Sequence, residues 1–439
     1  MSQYIAFLSA QLWGWPMILL LLGTHIYLTV RLRFPQRHIF RAIRMSVKSD
    51  KDSHGDVSQF GALATALAAT IGTGNIIGVG TAVWLGGPGA VLWCWLTGVF
   101  GISTKYAEAL LAVKYRVKDR KGNMHGGPMY ALLRGLGWRH LAILFSIFTA
   151  IAALGIGNMV QCNAISLLCY ESFQIPVWQS SAVVAFFTAV VILGGVKSIS
   201  RICSAFVPLM ALLYVLGCVY ILIINAEYVI PSLQLILRSA FSPRSAAGGM
   251  MGGGIMMAAR YGIARGLFSN ESGLGSAPIV AAAARTRSLV RQALVSSTGT
   301  FWDTVVVCAM TGLVIVSSVL AHEEIDFNAG GALTHAAFAT IPYVGTPLLL
   351  FGIISFAFST ILGWSYYGEK GIEFLTGTRA RIPYRIVYVI FTFLGGVMPL
   401  AVVWNISDLA NGMMCIPNLV CVLALSGVIV RETRKAGLM

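Results

Sequence analysis

Thr65-Ala-Leu-Ala-Ala-Thr-Ile-Gly-Thr-Gly-Asn-Ile-Ile-Gly-Val79 is the stretch whose reading decides the fold. It is apolar enough to enter a bilayer. Its centre, Ile71-Gly72-Thr73-Gly74-Asn75, nevertheless carries two glycines and two polar side chains where a plain membrane anchor carries Leu. Gly weakens a helix by about 1 kcal/mol relative to Ala, and lipid offers a freed amide no water to bond. Such an interruption persists only where protein or a water-filled cavity surrounds it. A helix unwound at that depth points N–H groups and a positive dipole end at one ligand, and C=O groups at another. The pattern predicts a site that holds an anionic group and a cation side by side inside a membrane.

Composition agrees with that setting. Hydrophobic residues make up 57% of the chain and charged residues 11%, against about 25% charged in soluble domains; the mean hydropathy is +0.79. The net charge of +15 does not imply nucleic acid, because Lys and Arg cluster in short loops between apolar runs, the signature of membrane topology. The eight cysteines lie within apolar segments without CxxC spacing and read as small buried hydrophobes, with no disulfide framework or metal site. Met-Ser-Gln-Tyr at the start lacks the basic region of a signal peptide, so the first apolar run is expected to be retained.

Outward from the opening stretch, apolar runs at about 12–32, 57–84, 90–115, 140–173, 178–193, 202–224, 244–268, 293–320, 347–375, 386–404 and 408–430 predict eleven transmembrane helices. Basic clusters at 31–51, 114–121, 197–201, 285–291, 379–385 and 431–435 fall on one side of that arrangement, the cytoplasmic one by the positive-inside rule. The N-terminus is then outside and the C-terminus inside, in a multi-pass protein of the plasma (inner) membrane. A Gly-Gly-Pro segment at 126–128 opens a short cytoplasmic helical piece, and 225–243 reads as an external loop with a short surface helix.

A second Gly-rich interruption, Gly248-Gly249-Met250-Met251-Gly252-Gly253-Gly254, falls in the span at 244–268. Without the first helix, ten spans remain, and each five-span half begins with a Gly-broken one. Paired interruptions at matching positions are the sequence pointer to an inverted repeat with a binding site at the membrane midplane. Glycines that merely allow close helix packing are the alternative. The expected organisation is all-α: residues 1–55 an N-terminal helix and basic loop, 56–225 the first five-helix repeat, 226–430 an external loop and the second, inverted repeat, and 431–439 a cytoplasmic tail.

The segments Ala69–Asn75, Gly86-Gly87-Pro88-Gly89-Ala90, Gly126-Gly127-Pro128, Gln161 with Asn163, Phe268-Ser269-Asn270-Glu271-Ser272-Gly273-Leu274-Gly275-Ser276 and the run from Phe356 to Glu369 together resemble the alanine-or-glycine:cation symporter family. That family is similar in fold to the bacterial leucine transporter. The resemblance implies uptake of alanine, glycine or a related small neutral amino acid by symport with sodium as the coupling ion, through alternating access and without a cofactor. A proton-coupled symporter of another small amino acid is the second expectation. The partners expected are the amino acid, sodium and the lipid bilayer, with the chain acting as a monomer and no nucleic acid.

A zwitterion needs donors for its carboxylate, acceptors for its ammonium and a pocket for its side chain. The amides of Gly72, Thr73 and Gly74 supply donors without a buried Arg, whose insertion costs roughly 2.5–3.5 kcal/mol. Thr70, Thr73 and Asn75 can bond substrate or ion. Carbonyls of the second break at Gly253 and Gly254, with Gln161, are candidates for the ammonium; for Gln161 the alternative is an interhelical hydrogen bond. Met250, where relatives tend to carry smaller or aromatic residues, is expected to shape the side-chain pocket. Trp364 and Tyr366 read as an inner gate or as an aromatic belt. Sodium wants oxygen ligands, and the carbonyls of Ala68 and Ile71 with the hydroxyls of Ser359 and Thr360 form a suitable set. Hydroxyls in membrane helices also bond back to their own helix; the resemblance favours the ion. Asp303, in an apolar run, serves a cation path or pairs with a group such as Arg260. Asn270 and Glu271 read as a helix-end and loop device.

Other classes fare poorly. A channel needs a filter or polar ring repeated by symmetry, a pump needs a Walker A loop, and an enzyme needs converging acid–base or metal groups. The seven histidines are scattered and no HExxH occurs.

Overall fold

In the computed structural model, residues 7–8, 11–48, 54–119, 121–242, 254–327, 332–398 and 401–439 are described. The chain is helical, with one two-stranded hairpin. Helix α1 (Trp15–Arg31) turns by 67° into the basic helix α2 (Ile39–Ser46). Helix α3 (Gln59–Thr70) is capped by Ser58, whose Oγ accepts the Gly61 N–H at 2.9 Å. It stops at Ile71, whose ψ of 93° is extended. A π turn, Gly74–Gly78, leads into α4 (Val79–Gly86), and the two pieces meet at 54°. The first break is where the glycines put it.

Helix α5 (Ala90–Lys114) is followed by the hairpin of β1 (Val117–Lys118) and β2 (Met124–His125), paired Val117 to His125. Helices α6 (Arg139–Leu154) and α7 (Val160–Phe173) form one span through a π turn at Gly155–Met159. Helices α8 (Val177–Leu193) and α9 (Gly195–Ile224) complete the first half. The expected surface helix is α10 (Ala226–Phe241).

The second half begins with α11 (Ile255–Asn270), and of the interruption expected at Gly248–Gly254 the residues 248–253 lie outside the described residues. Gly254 is the residue before a continuous helix of 16 residues, roughly 24 Å long. An interruption that the sequence did not announce lies at the other end. Glu271 (φ 54°), Gly273 (φ 94°) and Gly275 (φ 84°) are left-handed, and the chain resumes helix only at α12 (Pro278–Ala281). Met250 and Gly253 lie outside the described residues. Then follow α13 (Leu289–Thr300), a π segment at Phe301–Cys308, and α14 (Ala309–Ala321), together one long span. Helices α15 (Leu333–Ala339), α16 (Gly345–Thr376), α17 (Arg381–Val397), α18 (Ala401–Ala424) and α19 (Ser426–Lys435) end the chain.

Among the described residues, six helices are long and apolar enough to cross a bilayer, and eight if each bent pair counts as one span. Helix α5 carries Lys105, Glu108 and Lys114 along its length, and α8 is apolar but only 17 residues long. Phe186, Phe187, Leu212, Leu216 and Ile223 stand exposed on α8 and α9, the surface that a bilayer covers.

Small residues bring the interior helices together. Gly262 and Gly266 lie against the backbone and side chains of α5 at Ala90, Cys94 and Thr97, and a Cβ at Gly363 of α16 would stand 2.7 Å from the Ala69 amide of α3. Such contacts replace the hydrophobic driving force that lipid does not supply. At one end of the bundle the two broken helices are stitched to each other. Val57 and Ala284 form a parallel bridge, the Asp56 N–H donates to Ala283 O (2.8 Å), and the Arg285 N–H donates to Val57 O (2.8 Å). Over this seam Arg116 donates to the carbonyls of Ala282, Ala284, Thr286 and His54 at 3.1, 2.8, 3.1 and 3.3 Å.

Candidate functional site

Where α3 ends, its last carbonyls lose their helical partners, and α16 supplies replacements. Ser359 Oγ donates to Ala68 O at 3.3 Å; Thr360 Oγ1 reaches Ala68 O at 3.2 Å and Ile71 O at 3.5 Å. Both hydroxyls also lie within reach of Phe356 O in their own helix, at 2.9 and 3.0 Å. The four oxygens anticipated from the sequence therefore converge across the α3–α16 contact, and all four residues are buried or nearly so. The set is all oxygen with no soft donor, which suits a hard monovalent cation. A hydroxyl hydrogen rotates freely, so each hydroxyl can turn its proton to Phe356 O and its lone pair to an ion.

Beside these oxygens is a cavity of about 30 Å³, room for roughly two waters before any movement. Of the residues expected to bind substrate, Thr70, Gly72, Gly74, Gln161 and Trp364 line it. Thr73 does not line it but donates to Gln161 Oε1 at 3.2 Å. Trp364 is buried against Gly157, where a Cβ would collide with the indole, so that glycine is required by the close approach. Tyr366 is also buried, 5.4 Å beneath the Lys370 ammonium, and is no part of a lipid-facing belt.

Asn75 and the Gly72 amide take different places from those expected. The Gly72 N–H, foreseen as a free donor, is satisfied by Asn75 Oδ1 at 2.9 Å. The Asn75 Nδ2 turns the other way, to Asp303 Oδ1 at 2.7 Å. Asp303 is fully buried and also accepts from Ser269 Oγ (2.8 Å) and Thr304 Oγ1 (2.6 Å). Arg260, its foreseen alternative partner, stacks on Tyr261. Asp303 therefore braces the two breaks against each other. Gly254 lies at the far end of α11 from the cavity, because the α11 residues that line it, Phe268 and Ser269, are in its last turn, with Glu271 just beyond.

Sequence reasoning missed Ile156, Phe268, Ser269, Glu271 and Asn411 as cavity residues. Three of the four π turns among the described residues, at Gly74–Gly78, Gly155–Met159 and Phe301–Cys308, contain or adjoin a site group, respectively Asn75, Gln161 and Asp303, and the fourth, at Leu132–Leu136, does not. Such bulges concentrate at functional sites.

A second, polar cavity of about 150 Å³ opens at the hairpin end of the bundle, lined by Asp56, Lys197, Tyr366, Glu369, Lys370 and Arg385. Ion pairs tie its walls: Glu369 with Arg385 (2.6 Å), Lys370 with Glu373 (2.8 Å), Arg381 with Glu373, and Arg381 with Asp119 (3.6 Å), and the Asp119 carboxylate also meets the His125 ring at 3.2 Å. Burial, with help from the Lys370 charge, lowers the His125 pKa, and burial raises that of Asp56 despite the Met124 N–H. Burial also works against the Asp119 carboxylate, but hydrogen bonds from Asn123 and His125 prevail and hold its pKa below the usual range.

The model of the sodium:alanine symporter family matches residues 1–436. The sodium/alanine symporter AgcS of Methanococcus maripaludis is 49% identical over 96% of this chain and 94% of its own length. An uncharacterized transporter of Haemophilus influenzae is 49% identical over 99% and 95%. Among solved structures, MhsT in complex with L-phenylalanine superposes with a TM-score of 0.62 at 14% identity, covering 85% of this chain and 90% of that one. That likeness concerns the fold alone, which is that of the bacterial leucine transporter. An all-helical membrane protein with paired breaks, matched from end to end by one family of transporters, is accordingly no enzyme: the chain belongs to the sodium:alanine symporter family.

Proposed function

We propose that the chain imports a small neutral amino acid, alanine or glycine, together with sodium, by alternating access around the cavity at the first break. The observation that carries this reading is the meeting of Ala68 O and Ile71 O with the hydroxyls of Ser359 and Thr360. An ion shared by α3 and α16 ties the broken helix to its neighbour, and the same helix contributes Gly72 and Gly74 to the cavity wall. Ion and substrate then act on one element, which is what couples them.

The substrate carboxylate is received at the Thr73 and Gly74 amides that head the π turn, where N–H groups lack intrahelical partners. The tight cavity favours a side chain no larger than a methyl group. The chain works in the inner membrane with its N-terminus outside, and Ala68, Ile71, Ser359 and Thr360 hold the ion.

Uptake of radiolabelled alanine into proteoliposomes, with and without an inward sodium gradient, tests this. Sodium-driven accumulation, competed by glycine better than by leucine or glutamate, is the expected result. Equal uptake driven by a proton gradient in sodium-free buffer would instead establish the proton-coupled reading.

A further inference from the structure

Three buried carboxylates, Glu108, Glu271 and Asp303, lie within Coulombic reach of one buried ammonium, Lys105. Two of the carboxylates have plain structural work. Glu108 Oε1 takes Asn418 Nδ2 (2.5 Å) and the Gly273 N–H (3.0 Å), fixing the loop beyond α11. Asp303 joins the breaks through Asn75 and Ser269. Glu271 differs, because it alone of the three lines the substrate cavity. Its carboxylate is held by the Ser276 hydroxyl, with Trp364 its other hydrogen-bonding neighbour.

Glu271 is also an uneconomical residue for its position. It caps α11 in the left-handed region, with φ 54°, where Gly or Asn serves better and another residue costs about 1–2 kcal/mol. It adds a buried charge, which costs several kcal/mol unless paired. Backbone strain and a desolvated charge at one cavity residue point to function. Behind it, Lys105 Nζ has no hydrogen-bond partner among the described residues, though the side chain is buried. It borders a pocket of about 10 Å³, at the lower limit for one water. Thr70 lines both this pocket and the substrate cavity.

We propose that the Glu271 carboxylate receives the ammonium group of the amino-acid substrate, and that Lys105 is a positioning residue that acts on that carboxylate through its charge, without a direct ion pair. The inference rests on the amino-acid reading above and specifies how the site recognises its ligand. A zwitterion meets opposite partners at its two ends: amides of the first break for the carboxylate, an acid of the second for the ammonium. Both broken helices must then close on one ligand, and an analogue with a hydroxyl in place of the ammonium is refused.

The test is alanine binding by calorimetry to the purified full-length protein in saturating sodium, with lactate as competitor and a sodium titration without alanine followed by tryptophan fluorescence. Glu271→Gln should weaken alanine by ~30-fold or more, the loss expected when one partner of a buried charge pair is neutralised. It should narrow the preference for alanine over lactate and leave the sodium titration within about threefold of wild type. Lys105→Met should lose alanine affinity in the same sense, and Lys105→Arg should restore most of it. A merely structural pair would instead move the melting temperature, sodium and alanine together. Should Glu271→Gln not fold, Glu271→Asp keeps the charge and shortens its reach, and an unchanged affinity there overturns the proposal. Sodium-dependent alanine binding by wild type with an unaffected Glu271→Gln overturns this inference alone. A wild type that binds no small amino acid overturns the proposed function and this inference with it.

Discussion

A methyl group at position 72 would stand 2.7 Å from Thr360 Oγ1, whereas at position 74 its nearest neighbour is the Phe268 ring at 3.6 Å. These glycines two residues apart therefore answer differently to the same substitution. Gly72→Ala pushes the Thr360 hydroxyl off its carbonyls, and overpacking of this kind costs about 1–3 kcal/mol. The sodium needed for half-maximal alanine binding should rise by roughly tenfold or more; Gly74→Ala should leave it within about twofold. Thr360→Ala removes one of the oxygens proposed to hold the ion without crowding and should raise the sodium requirement as well, with Ser359→Ala acting in the same direction. The coupling is reciprocal, so alanine should lose its effect on sodium affinity by the same factor. An unchanged sodium dependence in both hydroxyl variants would move the cation elsewhere, with the Asp303 cluster the next place to look.

Asn75 is where one element grips another, since it caps the Gly72 amide of the first break and donates to Asp303 of the π segment after α13. Asn75→Ala strands a buried donor and a buried acceptor, each costing about 1–3 kcal/mol. The melting temperature of the purified protein should fall, and sodium affinity with it. How far the elements were legible follows from the same region. The first break was readable because Gly-Thr-Gly-Asn is unlike any membrane anchor. Of the second, expected at Gly248–Gly254, all but Gly254 lies outside the described residues; the interruption that is described, at 271–277, is built around Glu, Ser and two left-handed glycines that also suit an ordinary loop, and it was not read as a break. Ser359 and Thr360 were legible through the family resemblance, and their partners are the ones foreseen. The approach of Asn75 to Asp303, 228 positions away, is a product of tertiary packing and leaves no trace in local spacing. Glu271 was read as a helix-end device, which its left-handed cap bears out, but its place in the cavity wall was not visible.

For the molecule as a whole, the ion-pair lattice at the hairpin end makes stability depend on pH. Burial holds the His125 pKa below its ordinary 6.5, so the unfolded chain takes up that proton more readily than the folded one. Stability is then retained above pH 6.5 and declines as pH falls through that value toward the lower folded one. Scanning fluorimetry should find a lower melting temperature at about pH 5.5 than at about pH 7.5, with a flatter profile in His125→Gln. Topology is tested at the same scale: a tag before Gln3 should be reachable from outside and a reporter after Leu438 should register cytoplasm. Both ends on one side would remove the eleven-span arrangement. The seam of Val57 with Ala284, clasped by Arg116, bears on leakage. Two helix stubs bonded to each other in this way resist moving apart, so swinging one aside breaks bonds to the other. A carrier built like this resists opening half-way, and a half-opened carrier is what lets the driving ion slip through without its passenger.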